Sequence, residues 1–279
     1  MQRPDAIRTG RDAVSPSGCC PDEKGDFIVI YFPPSLKYFD PKRFVISTWI
    51  DHIPFGYDLI AAVKPKLLVE LGTYNGLSYF TFCQSMVDHQ IDGLCYAVDT
   101  WEGDAHTSAY DASVYKDVNQ FNREHFRGFS YLMRMRFDEA LSHFSDDSID
   151  LLHIDGCHTY EAVKADFTAW YPKVKPGGII VMHDIAARLM DFGVWKFWEE
   201  ISCQYPVFAF NHGYGLGVLH KPGPDLPDHP LLSALFGGDT DHESLRAFYV
   251  HAGRYILQKR RVDQLKKNGQ DNAGKAGHE

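Results

Sequence analysis

Residues 67–78 read LLVELGTYNGLS. An apolar run, Leu67-Leu68-Val69, meets the acidic Glu70. Gly72 and Gly76 follow, and then a helix-like segment begins. The pattern predicts a buried parallel strand, a sharp turn and a helix N-terminus. A glycine turn lets a ligand approach the backbone and rest against amide donors. An acid in the strand disfavours phosphate there and favours a cationic or hydroxyl-bearing ligand.

Outward from this stretch, apolar runs alternate with amphipathic segments. Strands are expected at Lys66–Leu71, Leu94–Asp99, Tyr131–Met135, Ile149–Asp155, Gly178–His183, Val207–Asn211 and Leu216–Leu219. Helices are expected near 53–63, 77–88, 113–126, 138–144, 160–172 and 193–203. Alternation of this kind implies a parallel sheet covered on both faces. The last two strands are too close in sequence for a helical crossover, so one is antiparallel. The fold class is therefore α/β, a doubly wound, mostly parallel seven-stranded sheet ending in an antiparallel pair. Its ligand crevice lies at the carboxyl ends of the strands.

The remaining chain sets bounds on partners and organisation. With 279 residues, 44% hydrophobic and 14% aromatic, it can bury a large core. A net charge of −9 and a pI near 5.8 speak against a nucleic-acid partner. No apolar run is long enough for a transmembrane segment, and the first residues lack the apolar centre of a signal peptide. The six cysteines, at 19, 20, 83, 95, 157 and 203, show no metal-binding spacing. Cys19-Cys20 reads as an incidental surface pair. A cytoplasmic protein with reduced thiols is the simplest reading. Residues 1–26 are expected to be disordered, 27–221 to form the main domain and 222–243 to be a proline-rich linker. Residues 244–267 read as an amphipathic helix with a basic end, serving packing or oligomerisation. Residues 268–279 read as a disordered tail.

Acidic residues recur at the strand ends: Glu70, Asp99, Asp155 and Asp184. Any one of them has structural explanations, but four facing the same crevice point to a ligand. Asp99 is placed to accept hydrogen bonds from ribose hydroxyls. Trp101 either stacks on adenine or is a lid or core aromatic. Phe137-Asp138 either contacts the base or, for Asp138, caps a helix. A nucleoside carrying an amino acid, S-adenosylmethionine, meets the demands of the glycine turn and of these acids together. In LLHIDGCHTYE, Asp155 and His158 share one loop, and His183-Asp184 ends the next strand. Histidine suits proton removal near neutral pH, with a helix-start contact as the structural reading of His158. Asp155 and Asp184 could share a divalent cation such as Mg2+, which would acidify a bound hydroxyl. Ile185, the next residue, supplies no third ligand.

These residues together resemble a class I S-adenosylmethionine-dependent methyltransferase. VELGTYNGLSY at 69–79 resembles the first cofactor motif of catechol-type O-methyltransferases. It is closer still to a bacterial subgroup found beside or fused to glycosyltransferases. HIPFGYDLI at 52–60, AVDTWEGD at 97–104, HIDGCHTYEAVKADF at 153–167, GGIIVMHD at 177–184, FGVWKFWEE at 192–200 and HGYGLGVL at 212–219 carry the rest of the likeness. The resemblance implies that Glu70, Gly72, Thr73, Tyr74, Gly76 and Ser78 surround the amino-acid end of the cofactor. It places Asp99 on the ribose, Phe137 and Asp138 beside adenine, and Asp155 beneath the methyl-transfer centre. His158 stands where catechol-type enzymes carry a lysine base. The implied reaction is O-methylation of a hydroxyl, on a sugar of a glycan or glycolipid precursor, with glycosyltransferases or a second copy as partners. Related enzymes carry an Asn at or near the position after the last acid. Ile185-Ala186 departs from that pattern, which bears on metal use and on the acceptor pocket. A small-molecule O- or N-methyltransferase acting on a phenol or natural product is the alternative. A non-catalytic cofactor-fold module and a nicotinamide dehydrogenase fit the glycine and acid pattern less well.

Overall fold

The computed structural model describes residues 19–21, 27–29, 31–37, 39–104, 106, 108–224, 226–238 and 241–276. The chain divides into two units, Met1–Pro33 and Pro34–Glu279. In the first, Cys19–Pro21 and Phe27–Val29 pair as short antiparallel strands. A strand thus falls inside the stretch expected to be disordered, and residues 1–18 and 22–26 of that expectation lie outside the described residues. Because Phe27 belongs to this hairpin, the main unit starts at Pro34 rather than at residue 27.

The main unit is built on seven strands: β1 Leu67–Leu71, β2 Leu94–Asp99, β3 Ser130–Arg134, β4 Ile149–Ile154, β5 Val174–His183, β6 Val207–Phe210 and β7 Leu216–His220. Their order is β3-β2-β1-β4-β5-β7-β6. The first five are parallel, and β7 runs antiparallel to both β5 and β6. This is the expected Rossmann-like sheet. Its central strands are buried on both faces, which is why β1 and β4 read as continuous apolar runs. One carboxylate sets their register: Asp150 accepts from the amides of Lys66 at 2.9 Å and Leu67 at 2.7 Å. Strand order reverses between β1 and β4, so the crevice opens at their carboxyl ends.

Helices cover both faces: α1 Ile53–Val63, α2 Leu77–Asp88, α3 Ala112–His125, α4 Phe137–Ala140, α5 Tyr160–Trp170 and α6 Val194–Ser202. Residues 222–243 are more than a linker. They contain α7, Pro230–Phe236, whose Leu231, Leu232 and Leu235 are buried. Proline at its first turn starts this helix where no backbone donor is lost. The C-terminal helix α8 runs His242–Ala276, well past the expected 244–267 and through most of the expected tail. Residues 277–279 lie outside the described residues. Tyr249, Ala252 and Ile256 form its buried stripe, and Tyr249 packs edge-on against Phe55 of α1 at 5.2 Å. Gly253 sits where a Cβ would come within 2.4 Å of the Asp51 carbonyl, so the helix can press against this backbone.

Asp58 lies buried within α1, between these layers. It accepts from the Ser35 amide at 2.8 Å, the Ser35 hydroxyl at 2.6 Å and the Tyr249 hydroxyl at 3.1 Å. Burial pushes its carboxyl up to about 7, against the pull of those donors. A folded-state value above the unfolded one gives stability that is full below about pH 4 and is lost as pH rises through 7. Asp58→Asn should therefore gain on the parent chain between pH 4 and pH 8, by up to ~4 kcal/mol. Urea unfolding across that range checks this, and a pH-independent difference contradicts it.

Candidate active site

At the carboxyl ends of β1, β2, β4 and β5 lies a cavity of about 800 Å³. Its floor depends on Gly72. This residue has φ +85°, and a Cβ there would stand 2.0 Å from the carbonyl oxygen of Asp155. Only glycine lets the turn after β1 cross the end of β4 so closely. Gly72, Thr73, Tyr74 and Ser78 line the cavity. Asp99 lines it too, and its carboxylate ties the glycine turn to β2. Oδ2 accepts from the amides of Thr73 at 2.8 Å and Tyr74 at 2.9 Å, while Oδ1 accepts from Trp101 at 2.7 Å. A carboxylate oxygen has two acceptor sites, so Oδ1 keeps one for a ligand hydroxyl.

Three expected cofactor residues stand away from the cavity wall. Gly76 starts α2 with φ +76°, where a Cβ would meet the Phe80 ring at 2.6 Å. Trp101 is only 2% exposed, and its indole donates to the Tyr74 carbonyl at 2.9 Å. Its core-aromatic reading is the one realised, because the indole is spent bracing the turn. Glu70 is fully buried and lies directly opposite His153 in the β1–β4 pairing. Its Oε2 meets His153 Nδ1 at 2.8 Å, while Trp49, which lines the cavity, packs edge-on against the histidine at 5.6 Å. Burial raises the Glu70 pKa, and the histidine counters it.

Phe137 and Asp138 line the cavity. Asp138 is not the helix cap, and its side chain is largely exposed. Arg136 occupies the cap position and grips Asp138 with two nitrogens, at 2.9 and 3.1 Å.

The cavity wall also holds a charged cluster. Asp155, His158 and Asp184 bring one ligand atom each to within 4.8 Å of one another. His158 Nε2 lies 3.1 Å from Asp184 Oδ2. The buried His183 donates from Nδ1 toward Asp184 at 3.1 Å and Asp155 at 3.3 Å, and from Nε2 to the Gly213 carbonyl at 3.0 Å. With acceptors around both nitrogens, His183 is an imidazolium: burial opposes its charge, but Asp155 and Asp184 raise its pKa well above the usual value. Burial likewise opposes charge on Asp184, and His183 and His158 outweigh it, holding this carboxyl well below its usual range. Asp184 itself has φ +62°, a left-handed conformation that aspartate tolerates better than most residues and that clusters at functional sites.

Several wall residues carry no clear sequence signal. Phe192, from the loop after β5, stacks flat on His158 at 4.4 Å and 5°. His106 Nδ1 reaches His158 Nδ1 at 3.3 Å, and its Nε2 pairs with Asp191 at 2.7 Å. His106 lies two residues past the AVDTWEGD match, so its place could have been read; the Asp191-Phe192 loop gave no such sign. Asp166 also lines the cavity. Its legible trace is the spacing of Ala162, Ala165 and Asp166, a small-residue face of α5.

Among the described residues no helix is long and apolar enough to cross a membrane. Residues 69–185 match the family model described as a methyltransferase domain. An uncharacterized protein, y4gI, of Sinorhizobium fredii is 44% identical over 182 residues, which are 65% of this chain and 20% of that protein. An uncharacterized protein, R132, of Acanthamoeba polyphaga mimivirus is 32% identical over 122 residues, 42% of this chain and 50% of that protein. The chain thus spans a fifth and a half of the length of these two relatives. Among solved structures, the O-methyltransferase TomG from Streptomyces achromogenes, in complex with SAM, aligns with TM-score 0.45 and 15% identity, over 66% of this chain and 83% of that one. The stretch that the family model matches, a methyltransferase domain by its description, spans the glycine turn and all four strand-end acids.

His153 offers a direct check on the wall behind the cavity. Removing one partner of a buried hydrogen bond leaves the other group unsatisfied, at a cost of roughly 1–3 kcal/mol. His153→Leu should lower unfolding free energy by about that much in urea melts. A loss below ~0.5 kcal/mol contradicts the pairing, since uninvolved surface positions stay within that range.

Proposed function

We propose that this domain transfers the methyl group of S-adenosylmethionine to a hydroxyl oxygen, with His158 as general base. The observation that carries the reading is the Asp184–His158 contact at the cavity wall, 3.1 Å long and next to Asp155. A proton on His158 Nε2, donated to Asp184, makes Nδ1 the basic nitrogen, and its contact with His106 Nδ1 at 3.3 Å has to give way to the acceptor hydroxyl. This is the logic by which a carboxylate fixes the tautomer of a catalytic histidine. The acceptor oxygen forms a bond to the methyl carbon as the carbon–sulfur bond breaks. Its proton passes to His158, and S-adenosylhomocysteine departs. The sulfonium is already electrophilic, so alignment of the three centres supplies much of the acceleration.

On the donor side, the Gly72 turn, Ser78 and the remaining acceptor site of Asp99 would take the amino acid and ribose. The acceptor class we favour is a sugar hydroxyl, with a phenol or natural product second. The wall near His158 combines Thr48, His106 and Asp184 with the rings of Tyr110, Phe192 and Tyr214. Such a wall suits the mixed polar and apolar faces of a sugar. Association with glycosyltransferases or with a second copy belongs to the same proposal.

Asp155, His158 and Asp184 also fit a divalent cation by donor type, with the histidine as the third ligand that Ile185 does not provide. Such an ion would acidify a coordinated hydroxyl. It would have to displace the His183 imidazolium from both carboxylates, and it would claim the same His158 nitrogen that holds Asp184.

A methyl-transfer assay against sugars and phenols, with and without chelator, tests these readings. His158→Ala should lose roughly 10²–10⁴-fold in turnover and still bind S-adenosylhomocysteine. Unchanged turnover removes His158 from the chemistry. Turnover lost to chelator and restored by magnesium would move His158 from base to ligand. Asp99→Ala should weaken cofactor binding at least about tenfold by calorimetry, the equivalent of losing one charge-assisted hydrogen bond.

A further inference from the structure

We infer that Asp166, rather than Asp138, is the carboxylate that reads the adenine amine of the methyl donor. This rests on the proposal that the cavity takes S-adenosylmethionine. Phe137, Gly156 and Asp166 meet on one part of the cavity wall. A Cβ on Gly156 would lie 2.5 Å from the Phe137 ring and 3.5 Å from Asp166 Oδ2. The glycine therefore packs directly against the Phe137 ring, with the Asp166 carboxylate beside it on the same stretch of cavity wall. Ala162 and Ala165, on the same face of α5, add only small side chains to that wall. A flat ring beside a carboxylate oxygen suits a planar heterocycle with an N–H donor at its edge.

The two candidate carboxylates differ in what already occupies them. Asp138 gives both oxygens to Arg136 and is 63% exposed at its side chain. Asp166 is half-buried and, among the described residues, has no hydrogen-bond or ion-pair partner. Burial, and then the charge of Asp138, pushes its carboxyl up to about 6. A half-buried polar group without a partner is costly until a ligand supplies one. The exocyclic amine of adenine is such a donor. Hypoxanthine puts a carbonyl oxygen at the same place, so that lone pairs face each other.

Calorimetric binding of S-adenosylhomocysteine and its deaminated analogue, S-inosylhomocysteine, tests the assignment. The parent protein should prefer the adenine form by about tenfold or more, as sites built on a specific hydrogen bond do. Asp166→Asn, nearly isosteric, can turn its amide toward the analogue's carbonyl and should reduce the preference to about threefold or less. Asp166→Ala should bind both ligands weakly with a ratio near one, and thermal melts establish that either variant is folded. Asp138→Asn should keep the parent ratio. A parent-like ratio in the Asp166 variants, or its loss in Asp138→Asn, overturns the inference. Failure of the parent protein to bind either ligand refutes the donor reading itself, and this inference with it.

Discussion

Gly72 carries the turn after β1 across the carbonyl of Asp155, at a distance that no side chain permits. Much else in the crevice follows from that approach. It brings the ends of β1 and β4 together at the reversal of strand order, so loops from both halves of the sheet face one space. It also aims the amides of Thr73 and Tyr74 at Asp99, which closes the turn against β2. Trp101 then fills the room under Tyr74, and the turn becomes rigid before any ligand arrives. A binding site preorganised in this way loses little conformational entropy on binding.

Charge is arranged around the same crossing in two layers. Inside the sheet, Glu70 and His153 hydrogen-bond to each other across β1 and β4, sealed by Trp49. At the strand ends, His183 stands between Asp155 and Asp184 and draws both carboxylates toward itself. The inner pair lets an acidic residue sit in a core strand. The outer group keeps two acids close together without mutual repulsion, and it leaves His158 oriented by Asp184. His183 thus does for this cluster what a metal does elsewhere, supplying positive charge within hydrogen-bond reach.

The sheet was legible because its signals are local and repeated. Apolar runs, glycine turns and intervening helices each constrain the same architecture, and the ends of α1 and α2 coincide with expectation. The donor side was partly legible for the same reason. Glu70 and Trp101 were misplaced because sequence gives a side chain's position along a strand but not its partner: His153 and the Tyr74 carbonyl claimed them. Asp138 was read from a motif, while its neighbour Arg136, two residues away, decided where it points. The acceptor side depends on His106, Asp191 and Phe192, brought to His158 by loops whose paths have no periodic signature. The helix α7 was hidden by the prolines around it, which suggest a linker until Leu231, Leu232 and Leu235 are seen to be buried.

The hydrogen bond from Tyr249 to Asp58 joins residues 191 positions apart. Almost all of α1, an apolar helix, is buried, and α8 supplies part of its cover. During synthesis at about 5–20 residues per second, α1 would wait roughly 10–40 s for that cover to leave the ribosome. Contacts this distant in sequence also close slowly. The nascent domain therefore passes through a stage in which the sheet can pair while one flank of α1 stays bare. In that interval the chain is most exposed to chaperones and to aggregation.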